Sequence, residues 1–194
     1  YSGTHEVVPV PKIASVAGTE VRAQVQNELV HTADWGRGII HVHATRPAIP
    51  YPVVDVAVVN RENETVLLGQ KKHDGNLYRF IGGFFDPAVD VSLERAVVRE
   101  VVEETGGIEI GNITYLGSGI IDDWRYRNEK DRIISAFYRA DYLFGAPRAT
   151  DDIDSLTWIP FHKVLDVLIP EHRKAFGEKL MHSLIKTKKE REQE

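Results

Sequence analysis

The segment GGFFDPAVDVSLERAVVREVVEETGG, residues 82–107, constrains the chain more than any other. Paired glycines stand at both ends, and between them apolar and acidic residues recur with helical spacing from about Ser92 to Thr105. Gly106 and Gly107 stop that helix as C-terminal cap residues. At about 100° per residue, Val97, Val98, Val101 and Val102 share one arc. Glu100 and Glu104 lie side by side, Glu104 bordering the valines, and Glu103 falls next to Glu100 on the outer edge. Like charges at these spacings repel, so a cation is expected between them. Hard divalent ions take oxygen ligands, and Mg²⁺ prefers a few carboxylates with water and substrate phosphate. The competing reading is an acidic helix surface with Arg95 and Arg99 as local partners. It leaves the flanking glycines unexplained.

The rest of the chain orders itself around this helix. Residues 1–50 read as a Pro-punctuated arm ending in the joint RPAIPYP. VVDVAVVN is a buried strand, RENE a polar turn and TVLLGQ a second strand. LYRFIGG is a short strand running into the glycines. IEIGNITYLGSGII and RIISAFYRADYLF are strand-rich, and SLTWIP is a last short strand. FHKVLDVL and PEHRKAFGEKLMHSLIKT are helical, with Pro170 in a first turn. The main domain is expected over 51–188, and residues 189–194 read as a charged, solvated tail. Strands and helices do not alternate regularly. A mixed β-sheet with helices on both faces is therefore expected rather than a doubly wound parallel one.

Composition limits the function classes. The 194 residues, 42% of them hydrophobic, suit one domain with an appended arm. With 24 basic and 29 acidic residues the net charge is −5, which argues against broad attraction to nucleic acid or membrane. Cysteine is absent, which excludes disulfides and zinc–thiolate sites and agrees with a reducing compartment. No apolar run is long enough to span a bilayer and no signal peptide is recognised, so a cytoplasmic location is expected.

The run REVVEETG, Arg99 to Gly106, preceded by GG, resembles the Nudix box G-x5-E-x7-R-E-U-x-E-E-x-G-U, where U is a bulky apolar residue. The resemblance implies the Nudix α/β/α sandwich, a mixed sheet flanked by helices. It also implies Mg²⁺- or Mn²⁺-dependent hydrolysis of a nucleoside diphosphate linked to another group. It makes Glu100 and Glu104 the main metal ligands and Glu103 a third. Gly82 would offer a backbone carbonyl, and Arg99 would orient the glutamates by ion pairing. From Gly83 to Arg99 the chain is two residues longer than the box, and Val91 stands where the first Glu belongs. Asp90 is either its replacement or a turn or capping residue. The apolar residue after the final glycine is displaced to Ile108.

Other residues bear on substrate. In IIDDWRYRNEKDRI, residues 120–133, Arg125 and Arg127 offer guanidinium forks for phosphate, and Trp124 and Tyr126 offer flat surfaces for a base. A polar hairpin with its Trp packed beneath explains the block equally well. Tyr78 and Arg79 precede the glycines, where substrate should lie. Asp151, Asp152 and Asp154 precede SLTWIP; Asp152 best matches an acid that binds metal or activates water in similar proteins. His41 and His43 share a strand face without a third ligand. The expected reaction is attack of water on a pyrophosphate, with Asp152 or Glu103 taking the proton. ADP-ribose, giving AMP and ribose 5-phosphate, is the first substrate. Other nucleoside diphosphate sugars, NADH and dinucleoside polyphosphates follow. A Nudix-like nucleotide sensor without catalysis is the alternative class. The expected partner is a small nucleotide, with neither nucleic acid nor membrane, and residues 1–50 suggest a dimerisation arm in a homodimer.

Overall fold

The computed structural model describes residues 29–30, 41–42, 48–128 and 130–191. The chain divides into two units, Tyr1–Ala48 and Ile49–Glu194. In the first, β1 (Leu29–Val30) pairs antiparallel with β2 (His41–Val42). The rest of the expected arm up to residue 47, His43 included, and residues 192–194 lie outside the described residues.

The second unit is organised by β3 (Pro50–Asn60), whose apolar second half is buried on both faces. Such a strand belongs in the middle of a covered sheet. Along one edge it runs parallel to β7 (Arg132–Phe144), from Pro50 beside Arg132 to Val59 beside Asp141. Two strands share its other edge. β5 (Ile81–Phe84) pairs antiparallel with Val53–Val56, and β4 (Thr65–Gln70) with Val58–Asn60. β6 (Glu109–Ile121) extends the sheet beyond β7, and β8 (Ser155–Pro160) extends it beyond β4. The sheet is therefore mixed.

Helices cover both faces. Val54, Val56 and Val58 meet Ala96, Val97 and Val101 of α1 (Leu93–Thr105). On the opposite face, after the short α2 (Val164–Val167), α3 (Pro170–Arg191) lays Phe176, Leu180 and Leu184 over Ala57, Val59 and Phe137. Phe176 stacks on Phe137 with ring centroids 4.4 Å apart. This is the expected α/β sandwich. α3 runs on through Arg191, into the stretch read as tail. No helix among the described residues is long and apolar enough to cross a membrane.

The local signals for α1 have direct counterparts. Ser92 is its N-cap, accepting from the Arg95 N–H, and Gly106 ends it in the left-handed region at φ 69°. The buried face differs from the valine arc. Val97 and Val101 are fully buried, yet Val102 is 50% exposed, while Ala96, Glu100 and Glu104 are buried. The helix is thus rotated so that two glutamates face inward instead of bordering the core. Val101→Ala should lower stability by roughly 1–3 kcal/mol and Val102→Ala by less than about 0.5 kcal/mol. Denaturant melts of both variants check this, and equal losses would contradict the rotation.

Candidate active site

The inward turn of α1 depends on the glycine pair in β5. An added Cβ at Gly82 would lie 2.0 Å from the Val54 carbonyl oxygen, at a φ of +155° that side chains rarely adopt. An added Cβ at Gly83 would lie 2.6 Å from both carboxylate oxygens of Glu100. The absent side chain is what gives that carboxylate its space. The Gly82 N–H donates to Glu104 Oε2 at 2.9 Å. Strand and helix are therefore joined through the carboxylates.

Two cations from the chain neutralise this cluster. Arg99 donates a two-pronged fork to Asp90 at 3.0 and 2.8 Å, and one further nitrogen to Glu100 at 2.7 Å and Glu103 at 2.8 Å. It also reaches the Phe84 carbonyl at 2.9 Å. Lys71, following β4, sets its ammonium 3.5 Å from Glu104 Oε1 and 2.5 Å from Asp152 Oδ2. Asp90, held below the ordinary carboxylate range chiefly by Arg99, also accepts from the Asp86 N–H. Val91 is 88% exposed and Ser92 caps the helix, so Asp90 is a clamp on Arg99 and the end of a turn, not the cap.

Burial dominates the protonation of the inner pair. Glu104, 2% exposed, is pushed up to about 8 by desolvation, against the opposing pull of Lys71 and the Gly82 N–H. Glu100 is raised too, again mainly by desolvation, with Arg99 opposing. A cation beside these oxygens would reverse the penalty.

Glu100, Glu103, Glu104, Arg99, Asp152 and Gly82 line one cleft of about 740 Å³, together with Arg79, Trp124 and Arg125. The structure does not bring the other three expected substrate residues there. Tyr78 is tied by its backbone to Val167 and Ile169 and packs on the core. Tyr126 packs against Tyr51 at 5.1 Å, and Arg127, which does not line the cleft itself, pairs with Asp122 and Glu171, which do. Arg79 is held in a fork by Asp74, and Arg125 forks onto Asp123 while lying over the Phe84 ring at 5.4 Å. Trp124 is 71% exposed at the rim.

Sequence reasoning missed Lys71, Asp55 and His172, all of which line the cleft. Lys71 and His172 carry no spacing signal. Asp55 does, because a carboxylate inside VVDVAVVN breaks a strand that is otherwise apolar.

Carboxylates far outnumber basic side chains around the cleft. As placed, no three acidic or imidazole groups among the described residues converge on one point, because Arg99 and Lys71 draw the glutamates apart. The donor set nevertheless fits a hard divalent ion. It is all oxygen, it is partly desolvated, and Gly83 leaves it room.

The folded chain keeps the Glu104 proton up to pH about 8, whereas the unfolded chain releases it near 4.5. Stability of the metal-free protein therefore falls as pH rises through that window. Glu104→Gln should melt above the wild type at pH 8, with the gap closing toward pH 4.5. Mg²⁺ should raise the wild-type Tm at the upper pH and leave the variant's unmoved. A gap independent of pH would contradict the burial argument.

Comparison with known proteins agrees with this geometry. A family model described as NUDIX domain matches residues 50–180. The NAD-capped RNA hydrolase NudC of Pasteurella multocida (strain Pm70) is 33% identical over 130 residues, covering 66% of this chain and 45% of that protein. NudC of Photorhabdus laumondii is 32% identical over 149 residues, covering 75% and 52%. The chain thus spans about half the length of the curated relatives it matches. Among solved structures, the Nudix domain of Shewanella oneidensis NrtR, complexed with ADP-ribose, matches with TM-score 0.54 at 22% identity, covering 76% of this chain and 90% of that one. That last likeness is one of fold. With the family model spanning the whole sheet and the carboxylate helix, the chain belongs to the Nudix hydrolase family.

Proposed function

We propose that the protein hydrolyses the pyrophosphate of nucleoside diphosphate derivatives built on an ADP-ribosyl unit, ADP-ribose first, giving AMP and ribose 5-phosphate. The observation that carries this is the buried carboxylate pair opening into an acid-rich cleft. Such a cleft repels an anionic pyrophosphate unless cations accompany it. Glu100, Glu103 and Glu104 would hold Mg²⁺ or Mn²⁺, with the Gly82 carbonyl in support. When bound, such an ion polarises phosphoryl oxygens and lowers the pKa of water.

The chain's own groups divide the remaining work. Arg99 orients Glu100 and Glu103 while Asp90 holds Arg99 in place. Asp152, exposed and paired with Lys71 at the cleft wall, would take the proton of the attacking water. Glu103 is the other acid for that task. As the water oxygen bonds to one phosphorus, the bridging P–O bond breaks and its electron pair leaves with the other phosphate. Lys71, which lines the cleft, would meet that phosphate when substrate charge draws it from Glu104 and Asp152. Trp124 offers a face to the base at the rim, and Arg125 a guanidinium beside it.

A second reading comes from the curated relatives. Their name, NAD-capped RNA hydrolase, favours NAD(H) or an RNA end carrying it, which contains the same ADP-ribosyl unit. A non-catalytic sensor is disfavoured because the three glutamates of the REVVEE run, Glu100, Glu103 and Glu104, are kept and line the cleft.

Turnover of ADP-ribose, NADH, NAD-capped RNA, a UDP-sugar and ATP with Mg²⁺ ranks these readings. ADP-ribose should exceed ATP in kcat/KM, and Glu100→Gln should lower kcat roughly 100-fold or more. Trp124→Ala should act chiefly on KM, and Arg127→Ala, outside the cleft, should behave as wild type. Better hydrolysis of ATP would overturn the substrate reading. Wild-type turnover by Glu100→Gln would overturn the enzymatic one.

A further inference from the structure

The cleft wall on the α3 side carries a buried polar group that the carboxylate helix does not use. Asp55 is 6% exposed and lines the cleft, with Val53, Phe80, Ile133 and Ile169 among its apolar surroundings. A carboxylate in such a place needs hydrogen bonds. Its Oδ2 accepts from Ser135 Oγ at 2.5 Å. Its Oδ1 faces His172 Nε2 at 3.6 Å, too far for a hydrogen bond.

His172 is equally constrained. Its Nδ1 accepts the Phe80 N–H at 3.2 Å, and its ring stacks on Phe80 with centroids 5.4 Å apart. Desolvation lowers its pKa, so the ring is neutral and its single proton sits on Nε2. An acceptor and a donor thus stand side by side at the cleft wall, neither satisfied by the other. One hydroxyl meets both needs, donating to Asp55 Oδ1 and accepting from His172 Nε2–H. An ammonium or amide NH₂ cannot accept from the histidine, and an unprotonated phosphate oxygen, though Arg79 lies near both groups, has no hydrogen to donate to Asp55.

We propose that Asp55 and His172 form a subsite for a sugar hydroxyl of the group on the far phosphate, selecting nucleoside diphosphate sugars over diphosphates without a sugar there. This rests on the pyrophosphatase reading for the placement of the diphosphate at the glutamates. Ser135 acts as a positioning residue by holding the Asp55 carboxylate.

Binding separates the subsite from catalysis. ADP-ribose and the β-methyl ester of ADP carry the same diphosphate diester, and only the first has the second sugar. Calorimetry with Ca²⁺ as the divalent ion, with product formation checked by chromatography, should show the wild type preferring ADP-ribose by about tenfold. In Asp55→Asn and in His172→Gln, each verified as folded by its melting curve, that ratio should collapse to within about twofold. No preference in the wild type, or a ratio kept by either folded variant, overturns the subsite. An intact preference without turnover removes the hydrolase reading and leaves the subsite standing.

Discussion

Two glutamate carboxylates pressed against a pair of glycines set the terms for everything around them. Glu100 occupies the space a Cβ at Gly83 would fill, and Glu104 takes the backbone N–H of Gly82. α1 therefore approaches β5 through charged groups and not only through its apolar side. Val97 and Val101 supply the hydrophobic contact with the sheet on the same face. Burying two carboxylates beside them works against folding, since desolvation disfavours the charged form. Such an arrangement is a local instability that a cation bound there would relieve, which is a mark of a functional site.

The departures from the family box have a structural resolution. The loop ahead of α1 is longer, and an exposed valine stands where an acid is expected. Asp90 nevertheless reaches Arg99 with both oxygens, and the same oxygen that closes the turn onto Asp86 takes one arm of the fork. Arg99 is thus fixed at its base before it meets Glu100 and Glu103. The longer loop thus ends in a carboxylate held against Arg99.

The cleft is asymmetric in its chemistry. Its α1 side presents carboxylates to a cationic or cation-bearing ligand. Its α3 side carries Asp55 and His172, 3.6 Å apart, beside the apolar Ile133 and Ile169. The rim between them is formed by the short turn around Trp124, capped by Asp123. Within that turn Arg125 lines the cleft, while Arg127 does not and pairs with the lining residues Asp122 and Glu171.

Much of this was legible from local pattern. The ends of α1 followed from Ser92 and the terminal glycines, and TVLLGQ, RIISAFYRADYLF and SLTWIP are strands over their full lengths. These signals depend on near neighbours, such as capping, backbone freedom and alternation, which the sequence encodes directly. The carboxylate spacing on α1 was likewise readable, because residues three and four apart are neighbours on a helix surface. What the sequence by itself determined was therefore the elements, the mixed-sheet class and the character of the cluster. Only the tertiary structure decided which face of α1 turns inward, because both helix faces carry valines and the choice depends on the space left at Gly83. It alone brought Lys71 to Glu104, 33 residues later in the chain, and His172 to Asp55. Contacts between groups so distant in the chain leave no local spacing to read; they exist only because the sheet places β3, β4 and the start of α3 around one cleft.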